Sequence, residues 1–100
     1  MQVTITTQGA KTLVVIEGRL DATTVNQFQQ DIQPLMEGEN PDIELDCASL
    51  EYISSQGLRM FLILQKSVNA RGGHLVVTHM IAPVREVFDI TGFSGIIHIQ

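Results

Sequence analysis

Asp42-Ile43-Glu44-Leu45-Asp46-Cys47, followed shortly by Leu50-Glu51-Tyr52-Ile53-Ser54-Ser55-Gln56-Gly57-Leu58, is the stretch that decides the fold. Over its first six residues the apolar Ile43, Leu45 and Cys47 alternate with Asp42, Glu44 and Asp46, the period of a strand with one buried and one wet face. Beyond the serines the period lengthens. Leu58, Phe61, Leu62 and Val68 share a helical face that begins just after Ser54-Ser55-Gln56-Gly57, and Gly72-Gly73 supplies the stop. A strand, a hydroxyl-bearing turn and a helix in that order read as part of a βαβ unit.

Working outward, His74 to Thr78 is apolar and β-branched, as a following strand would be. Pro83 opens a short helix through Thr91 that stops at Gly92, and Ile96 to Ile99 reads as a closing strand. Toward the amino terminus, Gln2 to Thr6 alternates polar and apolar, Gly9 marks a turn, and Lys11 to Glu17 carries four consecutive apolar residues, Leu13 to Ile16. These two strands are expected to pair as a hairpin. After Gly18-Arg19-Leu20-Asp21, the residues Val25, Phe28, Ile32, Leu35 and Met36 recur at helical spacing, with Asp21 or Thr23 able to cap and Pro34 expected to kink or shorten the last turn. The predicted order is ββαβαβαβ: a single-domain α/β sandwich over residues 1–100, its mixed, mostly parallel sheet carrying helices mainly on one face. Asp42, Glu44 and Asp46, with the threonines of the first strand, are expected on the barer face.

Composition narrows the function. At 44% hydrophobic and 17% charged residues the chain can bury a core, which separates it from disordered sequences. Six basic against eleven acidic residues give a net charge of −5 with no basic cluster, so nucleic acid is not an expected partner. The longest apolar run, Met60 to Leu64, falls far short of the roughly 20 residues a membrane-crossing helix needs, so no membrane association is expected. One cysteine and no export signal in the residues given suit a cytoplasmic protein.

In a parallel sheet, sites form where strand ends turn into helix starts. Right-handed pairing is expected to bring Gly18–Asp21 beside Leu50–Gly57, making Asp21 and Ser55 neighbours with Asp46 close by. Ser54 or Ser55 sits where backbone N–H groups lack intrahelical partners and the helix dipole is positive, so an added phosphate would be tolerated locally while reversing the charge a partner meets. Each residue also has a plainer role: either serine as an N-cap contributing about 1 kcal/mol, Asp21 as a cap of the first helix, Asp46 as a solvated strand residue. Enzymatic chemistry finds little support. Ile53 stands where a serine hydrolase elbow would have its first glycine, no phosphate-binding loop is present, and His74, His79 and His98 are scattered without metal-ligand spacing. No catalytic residue, cofactor or metal is expected.

The ordered set Gly18-Arg19-Leu20-Asp21, Asp46, Tyr52-Ile53-Ser54-Ser55-Gln56-Gly57-Leu58, Gly72-Gly73-His74-Leu75 and Val84 through Phe93 resembles the STAS domain of bacterial anti-sigma-factor antagonists. In that family the loop before the second helix typically reads Asp-Ser-(Ser or Thr)-Gly, and the serine two positions before the glycine accepts phosphate. The resemblance implies that Ser55 is that acceptor, with Ser54 as a rival. It also implies a partner-binding surface formed by Asp21, Asp46, Ser54, Ser55, Gln56, Gly57, Arg59 and Met60. The implied partners are an anti-sigma factor with serine kinase activity and a phosphatase. Ser54 replaces the usual aspartate and Gln56 the following hydroxyl residue. The alternative is a non-phosphorylated scaffold or accessory subunit of a transport or stress-sensing assembly, with the serines serving only as caps.

Overall fold

The computed structural model describes residues 1–100. Strands β1 (Gln2–Gln8) and β2 (Lys11–Leu20) form an antiparallel hairpin, β3 (Asp42–Ile53) pairs parallel with β2, and β4 (His74–Thr78) pairs parallel with β3. The sheet order is therefore β1-β2-β3-β4. Helix α1 (Val25–Asp31) lies in the crossover from β2 to β3, α2 (Ser55–Ala70) in that from β3 to β4, and α3 (Ala82–Thr91) follows β4. Crossovers that all step in one direction with one hand lay their helices on a single face, as expected for this sandwich.

Three phenylalanines, one from each helix, tie that layer together. Phe61 of α2 stacks on Phe28 of α1 at 6.0 Å and meets Phe88 of α3 edge-on at 5.7 Å, and all three are buried. Beneath them lie Val14, Ile16 and Leu20 of β2 and Leu45, Leu50 and Ile53 of β3. The buried face of α2 runs through Leu58, Phe61, Leu64 and Val68, with Leu62 only half-buried at its edge.

Several boundaries differ from the sequence expectation, each for a local reason. Helix α1 ends at Asp31 and a 3-10 turn takes over at Gln33–Met36, because Pro34 has no N–H to give and its ring would press on the carbonyl four residues back. The N-cap of α1 is Thr24, whose side chain makes no cap bond, so neither Asp21 nor Thr23 fills that place. Strand β2 continues through Leu20 and β3 through Ile53, well past the predicted ends at Glu17 and Cys47. Two register shifts account for the hidden part of β3: one extra residue is inserted between Asp46 and Ser49 and another between Leu50 and Tyr52. Buried positions therefore fall at Ile43, Leu45 and Cys47 and then at Leu50 and Ile53, so the alternation disappears although the strand goes on. At the carboxyl end Gly92, at φ +80, closes α3, a 3-10 turn follows at Phe93–Gly95, and the expected last strand is reduced to one parallel bridge between Val77 and Ile99. The elements thus run ββαβαβα, with Ile97 plugged into the core and Phe93 packed against it.

Arg71, just past α2, fastens the long connection before β3. Its guanidinium donates to the carbonyls of Leu35 and Glu37, each at 2.7 Å, and of Ser67 at 3.2 Å.

The face opposite the helices is barer, as the alternation of β3 implied. The register places Thr4, Thr6, Val15, Glu44, Asp46 and Thr78 on one side. There Lys11 Nζ lies 2.9 Å from Glu44 Oε1, and the Thr78 hydroxyl donates to Glu44 Oε2 at 2.8 Å. The Lys11 hydrogen bond, then that of Thr78, holds the Glu44 carboxyl below its ordinary pKa. Such a carboxyl contributes stability above its unfolded pKa, about 4.3, that is lost as pH falls through its lower folded value. Glu44→Gln is therefore expected to cost about 0.5–1 kcal/mol at pH 7, solvent screening keeping the effect small, and the gap to the wild type should close once the solution is acidic enough to protonate the folded carboxyl. Urea unfolding across that range checks this; a gap independent of pH contradicts it.

Candidate functional site

The carboxyl ends of β2 and β3 are joined by a hydrogen bond from Ser54 N–H to the Leu20 carbonyl at 2.8 Å, which brings Asp21 against the start of α2. The two serines have different roles there. Ser54 is extended, at φ −92 and ψ 175, and its Oγ accepts from the Gly57 N–H at 3.3 Å while its carbonyl accepts from Leu58 N–H at 2.9 Å. Ser54 is therefore the N-cap. Ser55 is the first helical residue and is exposed, as is Gln56. Their backbone N–H groups belong to the first turn, which has no intrahelical acceptors, at the positive end of a 16-residue helix.

Asp21 is shaped by its own turn. Its carboxylate accepts from the Thr23 hydroxyl at 2.6 Å and the Thr23 N–H at 2.9 Å, and its carbonyl receives the N–H groups of Thr24 and Val25. The Thr23 bonds, with Arg19 as a lesser contribution, lower its pKa, so it is an anion at neutral pH. Arg19 lies over the Tyr52 ring at 4.4 Å and reaches Asp21 at 3.8 Å.

The predicted residues divide into two groups. Ser54, Ser55 and Gln56 open α2, the Leu20 carbonyl bond to Ser54 brings the chain next to Asp21 there, and Arg59 is exposed one turn along α2. Gly57 and Met60, expected on the docking surface, are buried instead. Met60 belongs to the core at 8% exposure because it borders the Phe61 stripe. A Cβ on Gly57 would fall 2.7 Å from Leu20 Cγ and 2.8 Å from Ile53 Cγ1, so only glycine lets the helix start so close to the sheet. Asp46 does not join the corner at all. It lies seven steps along the strand before Ile53, roughly 20 Å at strand rise, and its carboxylate instead accepts from Ala48 N–H at 3.0 Å within the first register shift and faces His79 at 3.4 Å. Sequence reading missed Arg19 and Tyr52 as wall residues of the corner. They are register partners on adjacent parallel strands, a pairing that becomes visible only when both strands are extended to their true ends.

No three His, Cys, Asp or Glu side chains come together as metal ligands. Burial, with Asp46 adding, pushes the Cys47 thiol up to about 12, which leaves it protonated and inert at neutral pH. No helix is long and apolar enough to cross a membrane.

The class this defines is a small α/β sandwich, helices on one face, with an exposed helix-start serine between two strand ends. The family description "Mlab, STAS domain" matches residues 3–98, and the chain belongs to the STAS domain family. It is 31% identical over 84 residues to BtrV of Bordetella bronchiseptica, described provisionally as an anti-sigma factor antagonist, covering 84% of this chain and 72% of BtrV. It is 27% identical over 87 residues to the anti-sigma-B factor antagonist of Staphylococcus epidermidis, covering 87% of this chain and 81% of that one. Among solved structures, the anti-sigma factor antagonist SpoIIAA of Bacillus shares the fold. Its unphosphorylated form matches with a TM-score of 0.78 at 17% identity over 99% of this chain and 88% of that one. Its phosphorylated form matches at 0.71 with 16% identity over 99% and 91%.

Proposed function

We propose that the protein is an anti-sigma-factor antagonist switched by phosphorylation of Ser55. Unmodified, it binds an anti-sigma factor that carries serine kinase activity and so leaves a sigma factor free; phosphorylated, it releases the kinase. The observation that carries this reading is the division between the serines. Ser54 is used up as the cap, and Ser55 stands exposed at the same polarised corner. The relatives named as antagonists, and the existence of SpoIIAA in both unphosphorylated and phosphorylated forms, support it.

In the forward step the Ser55 Oγ forms a bond to the γ-phosphorus of ATP held by the kinase, the β–γ bridging bond breaks, ADP leaves, and the hydroxyl proton passes to a base of the kinase. A phosphatase reverses the state with water, releasing inorganic phosphate and restoring the hydroxyl. The added group brings roughly −1.5 to −2 charges at neutral pH. The helix start accommodates that charge, but Asp21 repels it, so the phosphate changes what a partner meets more than it stabilises the fold. Such a role is cytoplasmic, and the chain itself supplies recognition while the partners supply the catalysis.

With the partner recovered from the native host, Ser55→Ala is expected to bind as the wild type does, and Ser55→Asp at least tenfold more weakly, about 1.4 kcal/mol. Equal binding of all three by titration calorimetry removes the switch. That outcome is the one required by a second reading, a constitutive accessory subunit.

A further inference from the structure

Of the six basic residues, four are engaged within the protein. Lys11 pairs with Glu44, Arg19 with Asp21 and the Tyr52 ring, Arg71 with backbone carbonyls, and Arg85 with Asp89 at 3.3 Å. The two left without an ion pair or side-chain hydrogen bond, Arg59 and Lys66, both lie exposed on α2. Arg59 is four residues past Ser55, so the two side chains are neighbours on the helix surface, with Cβ atoms about 5–6 Å apart. Side chains on a helix tilt toward its amino end, which aims the Arg59 stem back at Ser55.

We propose that Arg59 is the residue that reads the charge state of Ser55: it stays free while Ser55 is a hydroxyl and closes on the phosphate once one is present. This inference rests on the reading of Ser55 as the acceptor. An acid placed one turn before a base is the favourable order on a helix, and guanidinium matches phosphate with paired N–H donors. The other charges at the corner reinforce the choice. Asp21 repels a phosphate, Glu51 on β3 is also acidic, and Arg19 is already held by Asp21 and Tyr52, so Arg59 is the one uncommitted cation within a helical turn. Phosphorylation therefore adds negative charge and also withdraws one of the two free cations from the exposed face of α2. The partner loses a contact as well as meeting a new repulsion.

The test needs no kinase. Phosphoserine is installed at position 55 of the full chain during translation, and the phosphate is titrated by phosphorus NMR in low salt. Its second pKa, near 6 when unpaired, is expected to lie about 0.3–0.5 of a unit lower in the wild type than in Arg59→Gln. Arg59→Lys should recover most of that shift, and Lys66→Gln, two turns further on, should leave it intact. Because Arg59 is exposed, equal melting temperatures of the unmodified variants confirm that folding is unaffected. A phosphate that titrates identically in the wild type and Arg59→Gln overturns the inference while leaving Ser55 free to be the acceptor. Conversely, a chain never modified at Ser55 in its host defeats the proposed function without altering this titration.

Discussion

Replacing Phe61 with alanine is expected to lower the unfolding free energy by about 4 kcal/mol. Phe61 is 1% exposed and sits between Phe28 and Phe88, so its loss removes a large buried surface and both ring contacts at once. Each aromatic pair adds about 0.5–1.5 kcal/mol beyond the area it buries, and the surrounding layer cannot collapse fully because three helices and the sheet hold the walls apart. Against the 5–15 kcal/mol typical of a folded domain, a change of that size leaves Phe61→Ala marginal at growth temperature. Urea unfolding measures it. A loss below about 1.5 kcal/mol would show that the three helices are not joined through this ring.

Gly57→Val is expected to cost about 3 kcal/mol, and to damage the corner as well as the fold. Its Cβ alone would lie within 3.0 Å of Leu20 and Ile53, and neither contact is with the free end of a flexible chain. The first turn of α2 would have to rise off the sheet. That movement stretches the Ser54 bond to the Leu20 carbonyl, which joins the end of β2 to the start of α2. The expected signature is therefore double: a lower urea midpoint, and lost protection of the Ser54 amide in hydrogen exchange beyond what the overall destabilisation explains. Retained protection at Ser54 would place the strain elsewhere. Gly57→Ala should show the same pattern more weakly, because alanine regains about 1 kcal/mol of helix preference over glycine.

Much of this architecture is legible in the chain because single periodicities dominate. β4 is found with the predicted bounds, α2 begins at the serines, and α3 stops at Gly92, since each is marked by one clear pattern or breaker. What escaped sequence reading was placement that depends on tertiary pairing. The two extra residues in β3 erase its alternation after Cys47, and that in turn made Asp46 look like a loop neighbour of the serines when it lies well back along the strand. The bridge at Ile99 has the composition of a strand, but the turn at Phe93–Gly95 and the burial of Ile97 leave only one residue in register with β4. Gly57 and Met60 lie next to the serine motif in the chain, but the helical phase turns both toward the sheet. Ser54 and Ser55 are chemically equivalent as caps in sequence. Only the backbone angles at Ser54 and its bond to Gly57 separate the cap from the exposed hydroxyl.

The separation of cap from exposed hydroxyl is tested directly by recovering the chain from its native host and mapping its modified positions by fragment mass spectrometry. A single phosphate on Ser55, with Ser54 bare, is the predicted result. Phosphate on Ser54, or on neither serine, contradicts it.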